Sequence, residues 1–271
     1  MKSNPCISVI MPCYNEQDNI NKALQSILNQ TFTDYELIVV DDCSTDRSGE
    51  IIKNIAEEDN RVVYLRNVSN AGVARTLNNG LKIAHGKYIA RMDADDVCEP
   101  TRFQKQVDYL SNHPDCIVCG SFADVFNGKS TFIQGDVKED PKRHLVKNNP
   151  FVHSSVMFKR EVGNKKVLYP ETKGFEDYGL WIDLSDKGEF GIIPEVLVHR
   201  VDINNLETKK TWEGFTKLKV YKKLVTYQVK ATKKTGFIFY GACCVICTGL
   251  KIVVTPSTPP TTASAGRMRC R

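Results

Sequence analysis

Three short acidic runs in this 271-residue chain have the residue types and spacing that chemistry on a charged, oxygen-rich ligand would require. The most telling is Asp93-Ala94-Asp95. Residues i and i+2 at a strand end point to the same side, so both carboxylates can converge on one hard cation. Mn2+ or Mg2+ held in this way keeps open positions that diphosphate oxygens can fill. Such a cation then neutralises charge building on a departing nucleotide diphosphate. An Asp-x-Asp triplet alone is common in solvated loops, but this one directly follows the apolar run Tyr88-Ile-Ala-Arg-Met92. The second run is Asp41-Asp42, after Leu37 to Val40. Asp42 there can accept hydrogen bonds from a ribose or a base N–H, or can serve the positive end of a helix beginning after Thr45. The third run, Glu176-Asp177, opens a helical segment and would suit first-turn helix acids in any protein. Tyr14 offers a ring on which a base could stack, or a rim aromatic.

Positioning these groups requires a particular frame. Ile7 to Met11, Leu37 to Val40, Val62 to Leu65 and Tyr88 to Met92 read as short buried strands. Between them, Ile20, Ala23, Leu24, Ile27 and Leu28 follow helical spacing, as do Ile51, Ile52, Ile55 and Ala56, with Ser44 and Thr45 as candidate N-caps. Ala74, Leu77, Leu81 and Ala84 mark a third helix ended by Gly86, and Pro100 opens a fourth with Phe103, Val107 and Leu110 inward. Repeated strand-helix units of this kind predict a Rossmann-like, mostly parallel α/β sheet with helices on both faces. Ligands of such sheets bind beyond the carboxyl ends of the strands. Pro12-Cys-Tyr-Asn-Glu16, Asp41-Asp42 and Asp93-Ala-Asp95 each follow a strand, so they should gather along one rim.

A net charge of +5 is too mild an excess to indicate a nucleic-acid partner. The chain carries 10 cysteines without a secretory-like N-terminal segment, so the thiols are expected to be free, mostly buried and cytoplasmic. Cys116 and Cys119 have CxxC spacing but lie in an apolar run without a second pair, which favours a buried strand over a zinc site. An NAD-binding domain would need Gly-x-Gly-x-x-Gly at the first turn, and a sugar nucleotidyltransferase a Gly-rich basic loop; Pro12-Cys-Tyr-Asn-Glu16 supplies neither. A glycoside hydrolase would use paired carboxylates without a nucleotide pocket. The nucleotidyltransferase and a non-catalytic nucleotide-sugar-binding protein remain as alternative readings.

Several blocks together resemble the family 2 glycosyltransferases. They are Ser8-Val-Ile-Met-Pro-Cys-Tyr-Asn-Glu16, Glu36-Leu-Ile-Val-Val-Asp-Asp-Cys-Ser-Thr-Asp46, Asn70-Ala-Gly-Val-Ala-Arg75 and Gly86-Lys-Tyr-Ile-Ala-Arg-Met-Asp-Ala-Asp-Asp96. Phe151-Val-His-Ser-Ser-Val-Met-Phe-Lys-Arg160 and Phe175-Glu-Asp-Tyr-Gly-Leu-Trp181 are similar to later blocks of that family. The resemblance implies a GT-A fold, a nucleoside diphosphate sugar donor, commonly a UDP-sugar, and inversion at the anomeric carbon. It implies that Pro12, Tyr14 and Glu16 line the nucleotide pocket with Asp42 at the base, that Arg75 faces the donor, and that Asp93 and Asp95 hold metal and diphosphate. Asp177 would be the catalytic carboxylate, with Glu176 in reserve and His153 toward the acceptor, where it could equally be structural. Asp202 stands where relatives often have His, which leaves any role of that position open. The implied acceptor is a saccharide or lipid-linked saccharide of bacterial surface-polysaccharide synthesis.

This reading divides the chain into a GT-A domain over 1–208, with a donor half 1–112 and an acceptor half 113–208. A Lys-rich helix and apolar segment follow over 209–254, then a Pro/Thr/Ser-rich tail over 255–271 expected to be disordered. About 20 apolar residues can cross a bilayer. The run Gly236 to Val254, preceded by lysines, therefore predicts association with the inner face of the cell membrane.

Overall fold

The computed structural model describes residues 4–171, 174–201 and 229–235. Side-chain alternation along its first strand decides where the helices sit. In β1 (Ile7–Cys13), Ile7, Val9, Met11 and Cys13 face one way. They join Ile20, Ala23, Leu24 and Ile27 of α1 (Ile20–Leu28) and Ile52 and Ile55 of α2 (Ser48–Glu58) in one apolar core. Ile10 faces the other way, toward α3 (Val73–Ile83). There a Cβ on Gly80 would come within 2.9 Å of the Ile10 side chain, so only glycine lets the helix lie this close. Helices therefore cover both faces.

β1 pairs in parallel with β2 (Tyr35–Asp41) and with β4 (Tyr88–Arg91), and β2 in parallel with β3 (Val62–Arg66). Parallel strands end at the same edge, so Cys13, Asp41 and Arg91 deliver the chain to one rim. The second half is more mixed. It comprises β5 (Val97–Cys98), α4 (Arg102–Asn112), β6 (Cys116–Phe126), β7 (Thr131–Gln134), the short α5 (Pro141–His144) and β8 (Met157–Lys159). A small hairpin of β9 (Glu161–Val162) and β10 (Lys165–Lys166), then α6 (Glu176–Leu184) and β11 (Glu189–Val201), complete it. The main sheet runs β3-β2-β1-β4-β8-β6-β11-β5, with β7 on β6. β8 pairs antiparallel with both β4 and β6, while β11 returns parallel to β6. Parallel pairing thus dominates the first half, not the second.

The CxxC pair lies in β6 as expected, with Cys116 and Cys119 buried, and all six described cysteines are free. Ser44 and Thr45 are not helix caps. The second helix starts at Ser48, whose N–H bonds Asp46 Oδ1 at 2.9 Å. Ser44 and Thr45 instead tie the first two rim loops together: Ser44 Oγ accepts from the Asn15 N–H at 3.0 Å, and Thr45 N–H donates to Asn15 Oδ1 at 2.8 Å. Among the described residues no helix is long and apolar enough to cross a membrane. The segment 236–254 lies outside them. Of the Lys-rich stretch, Lys230 reaches Asp183 at 2.6 Å and Lys234 reaches Asp186 at 3.3 Å, so these two side chains are engaged with the end of α6.

Candidate active site

Asp93, Asp95 and Asp96 sit just beyond β4, and each offers a carboxylate oxygen within 4.8 Å of the others. Asp95 is exposed, Asp93 partly so and Asp96 buried. Oxygen donors grouped in this way suit a hard divalent cation. Two arginines stand beside them. Arg91, itself buried, forms an ion pair with Asp93 and donates from Nη1 to Ser154 Oγ at 3.1 Å. Arg200 of β11 donates from Nε to Asp96 Oδ2 at 3.2 Å. Ser154 Oγ bridges the acids, donating to Asp93 Oδ2 at 2.9 Å and contacting Asp96 Oδ2 closely. Burial works to raise the Asp93 carboxyl, but the Arg91 guanidinium overrides it and holds the group down to about 2. Crowding by protein atoms, then by the charges of Asp93, Asp96 and Glu16, raises Asp95, solvent-facing though it is. That effect also places Glu16, at the end of the first rim loop, near the acid cluster.

The strand end that presents these acids is held by a group invisible to pattern reading. Arg102 of α4 is wholly buried and donates from Nη2 to the Arg91 carbonyl at 2.8 Å and to the Val156 carbonyl at 3.3 Å. It thereby ties β4 to the 153–156 turn that carries Ser154. In that turn His153 is half-buried beside Tyr169, with Nε2 2.9 Å from the Tyr169 hydroxyl, and packs edge-on against Trp181. Crowding by protein atoms, with the nearby Arg91 charge, lowers His153 well below its ordinary value.

The acids of α6 approach from the other side. Asp177 is partly exposed; its Oδ2 accepts from Asn149 Nδ2 at 2.7 Å and its Oδ1 from the Tyr178 N–H at 2.7 Å. These bonds fix the carboxylate and leave each oxygen a further lone pair. Burial raises its pKa against those donors and the attraction of Arg91. Glu176 is buried, and its Oε2 has no hydrogen-bond partner among the described residues. Burial first, and the Asp177 charge second, push it up to about 7. The Arg91 guanidinium pairs with Asp93, and its charge also favours the ionised forms of Asp96, Glu176 and Asp177, so both acid groups feel one buried cation.

The raised Glu176 predicts a pH-dependent stability. An unfolded Glu titrates near 4.5, the folded one near 7, so between these values the folded state binds the extra proton. Its contribution is therefore fully present below 4.5 and is lost as pH rises through 7. Glu176→Gln keeps the uncharged shape and should match the parent in urea unfolding at pH 4.5, yet exceed it by roughly 3 kcal/mol at pH 8. An equal difference at both pH values would show that burial of the charge is not the cause.

Of the two sequence readings of Asp42, the structure removes the one at the start of the second helix. Asp42 is buried. Its Oδ1 accepts from Asn67 Nδ2 at 2.8 Å and the Ala71 N–H at 2.7 Å, and its Oδ2 from the Gly72 N–H at 2.9 Å. It thus fastens the loop entering α3, where Gly72 adopts φ 80°, a conformation open to glycine. Pro12 lies within β1, and Tyr14 is exposed at the rim. Arg75, in the first turn of α3, is on the surface and paired with Glu171 at 2.8 Å. The structure thus groups Asp93, Asp95 and Asp96, with the charge of Glu16 felt at Asp95, while Arg75 pairs with Glu171. Arg91, Asp96, Ser154, Arg200 and Asn149 were missed by sequence reasoning. Asp96 alone had a local signal, as the third acid of one run.

The comparisons with known proteins meet the same blocks. The Glycosyl transferase family 2 domain matches residues 8–167, which takes in the rim loops and the acid cluster and stops short of α6. A putative teichuronic acid biosynthesis glycosyltransferase, TuaG of Bacillus subtilis, is 30% identical over 248 residues, 87% of each chain. Among solved structures, S. aureus TarS residues 1–349 in complex with UDP-GlcNAc superposes with TM-score 0.62 at 22% identity, covering 72% of this chain and 58% of that one. The mannosyltransferase PcManGT of Pyrobaculum calidifontis, in complex with GDP-Man and Mn2+, gives TM-score 0.58 at 20% identity, over 73% of this chain and 57% of that one. The two structures establish the GT-A fold, and the domain match extends through every rim loop that the parallel strands bring to one edge; this chain belongs to glycosyl transferase family 2.

Proposed function

We propose that this glycosyltransferase moves a sugar from a nucleoside diphosphate sugar, a UDP-sugar, to a saccharide or lipid-linked saccharide acceptor, with inversion. The observation that carries the reading is that two acid groups of different character feel the charge of one buried arginine, which pairs directly with Asp93. The cluster beyond β4 has the oxygen donors for a divalent cation, and α6 presents a fixed, partly exposed carboxylate. Asp95 and Asp93 would hold Mn2+ or Mg2+, which when bound stabilises charge on the departing diphosphate. The rim residues Pro12, Tyr14, Glu16 and Asp42 border the nucleotide. Asp177 takes the proton of the acceptor hydroxyl as that oxygen attacks the anomeric carbon from the face opposite the diphosphate. Asn149 and the Tyr178 N–H keep its oxygens oriented for that transfer. TuaG, by its name a teichuronic acid enzyme, supports bacterial polysaccharide synthesis as the setting. The lysines and apolar run of 209–254 support a place at the cytoplasmic face of the membrane.

The test is a panel of nucleotide sugars incubated with and without Mn2+, read as nucleoside diphosphate released. One donor is expected to turn over in a metal-dependent way, and NMR of a trapped product should show the opposite anomer. A product retaining the donor's anomeric configuration would overturn inversion, and binding without turnover would favour a non-catalytic nucleotide-sugar-binding protein.

A further inference from the structure

A site expected to attract a cation is flanked by two cations of its own, and that arrangement calls for a reason. Asp93 Oδ2 is taken up by Arg91 and Ser154, and Asp96 Oδ2 by Ser154 and Arg200. Three carboxylates beside two guanidiniums leave one formal negative charge in the cluster, and among the described residues the oxygens outside these pairings are those of exposed Asp95, Asp93 Oδ1 and the buried Asp96 Oδ1. Glu16 adds a negative charge from the first rim loop, with one oxygen accepting from Asn19 Nδ2 at 2.9 Å. A divalent cation with so few free protein oxygens stays mostly hydrated until phosphate oxygens complete its shell.

We propose that Arg91 and Arg200 are positioning residues whose charges keep this acid cluster from capturing a divalent cation by itself, so that the cation is held firmly only together with a diphosphate. The inference rests on the metal role assigned above to Asp93 and Asp95. The physical basis is that each guanidinium repels an arriving cation while immobilising one carboxylate. The diphosphate brings the missing charge and ligands, so cation and nucleotide strengthen one another's binding by the same factor. Arg91 is sealed under the site, whereas Arg200 is partly exposed, with its Nη1 also donating to Gln134 Oε1 at 3.1 Å. Arg200 is therefore the residue to change.

The experiment titrates Mn2+ into the full-length protein, following free Mn2+ by its paramagnetic resonance signal, without UDP and at saturating UDP. For the parent, UDP should tighten Mn2+ binding by at least about tenfold. Arg200→Gln removes one repelling charge and should bind Mn2+ alone on the order of tenfold more tightly than the parent, whereas Arg200→Lys, which keeps the charge, should not. A merely structural arginine predicts the opposite sign, because loosening the cluster weakens a cation site. Arg200→Gln binding Mn2+ alone no better than the parent would overturn the proposal. If that variant does not fold, the parent decides: equal Mn2+ affinity with and without UDP also overturns it. Failure to bind Mn2+ even with UDP is a distinct result, which removes the metal role itself and this inference with it.

Discussion

Asp177→Asn should reduce sugar transfer by about two to four orders of magnitude, the usual scale for loss of a general base. The substitution is nearly isosteric. Asn149 Nδ2 and the Tyr178 N–H both donate to the Asp177 carboxylate, so an amide must turn one nitrogen toward a donor or give up one bond. That local cost is about 1 kcal/mol, too small to unfold the domain. Donor binding should survive, since the proposed nucleotide site is formed by the strand ends of the first half. Asn cannot accept a proton, so the step that activates the acceptor hydroxyl is lost while the site remains assembled. Single-turnover transfer and UDP titration, measured side by side, separate the two effects. Ordinary turnover in Asp177→Asn would shift the role to Glu176, whose buried carboxyl titrates at about 7 and could also accept a proton near neutrality.

Asp95→Ala should lower transfer by about three orders of magnitude or more and should weaken UDP binding in Mn2+ buffer. Its carboxylate is exposed and is crowded by the charges of Asp93, Asp96 and Glu16. Removing it therefore relieves repulsion, and the melting temperature should stay level or rise. The loss of activity would then not be a loss of fold. UDP affinity in EDTA should be the same for variant and parent, because the difference between them is carried through the cation. Near-normal turnover of Asp95→Ala in EDTA-treated buffer would remove the metal from the reaction altogether.

What the sequence determined by itself was the frame and the place of the acids. Apolar strands alternating with helical spacing leave few arrangements other than a sheet with helices on both faces, and parallel strands end on one edge. Asp93-Ala-Asp95 after Tyr88 to Met92, and Asp41-Asp42 after Leu37 to Val40, therefore had to lie on that rim. Spacing of two along a strand end is a local property, legible without any long-range contact.

The tertiary structure alone decided what each acid meets. Asp42 accepts from Ala71 and Gly72, 29 and 30 residues away, and so fastens a loop that no local pattern assigns to it. Ser154 reaches Asp93 across 61 residues, Arg200 reaches Asp96 across 104, and Asn149 reaches Asp177 across 28. A hydrogen bond or ion pair of that kind depends on where separate strands are brought side by side, and it leaves no periodic trace in either segment. The same residues would read as ordinary surface polar groups in a chain folded otherwise. Buried acids and arginines acquire their charge state from one another, and that coupling exists only once β4, β11 and the 153–156 turn are packed together.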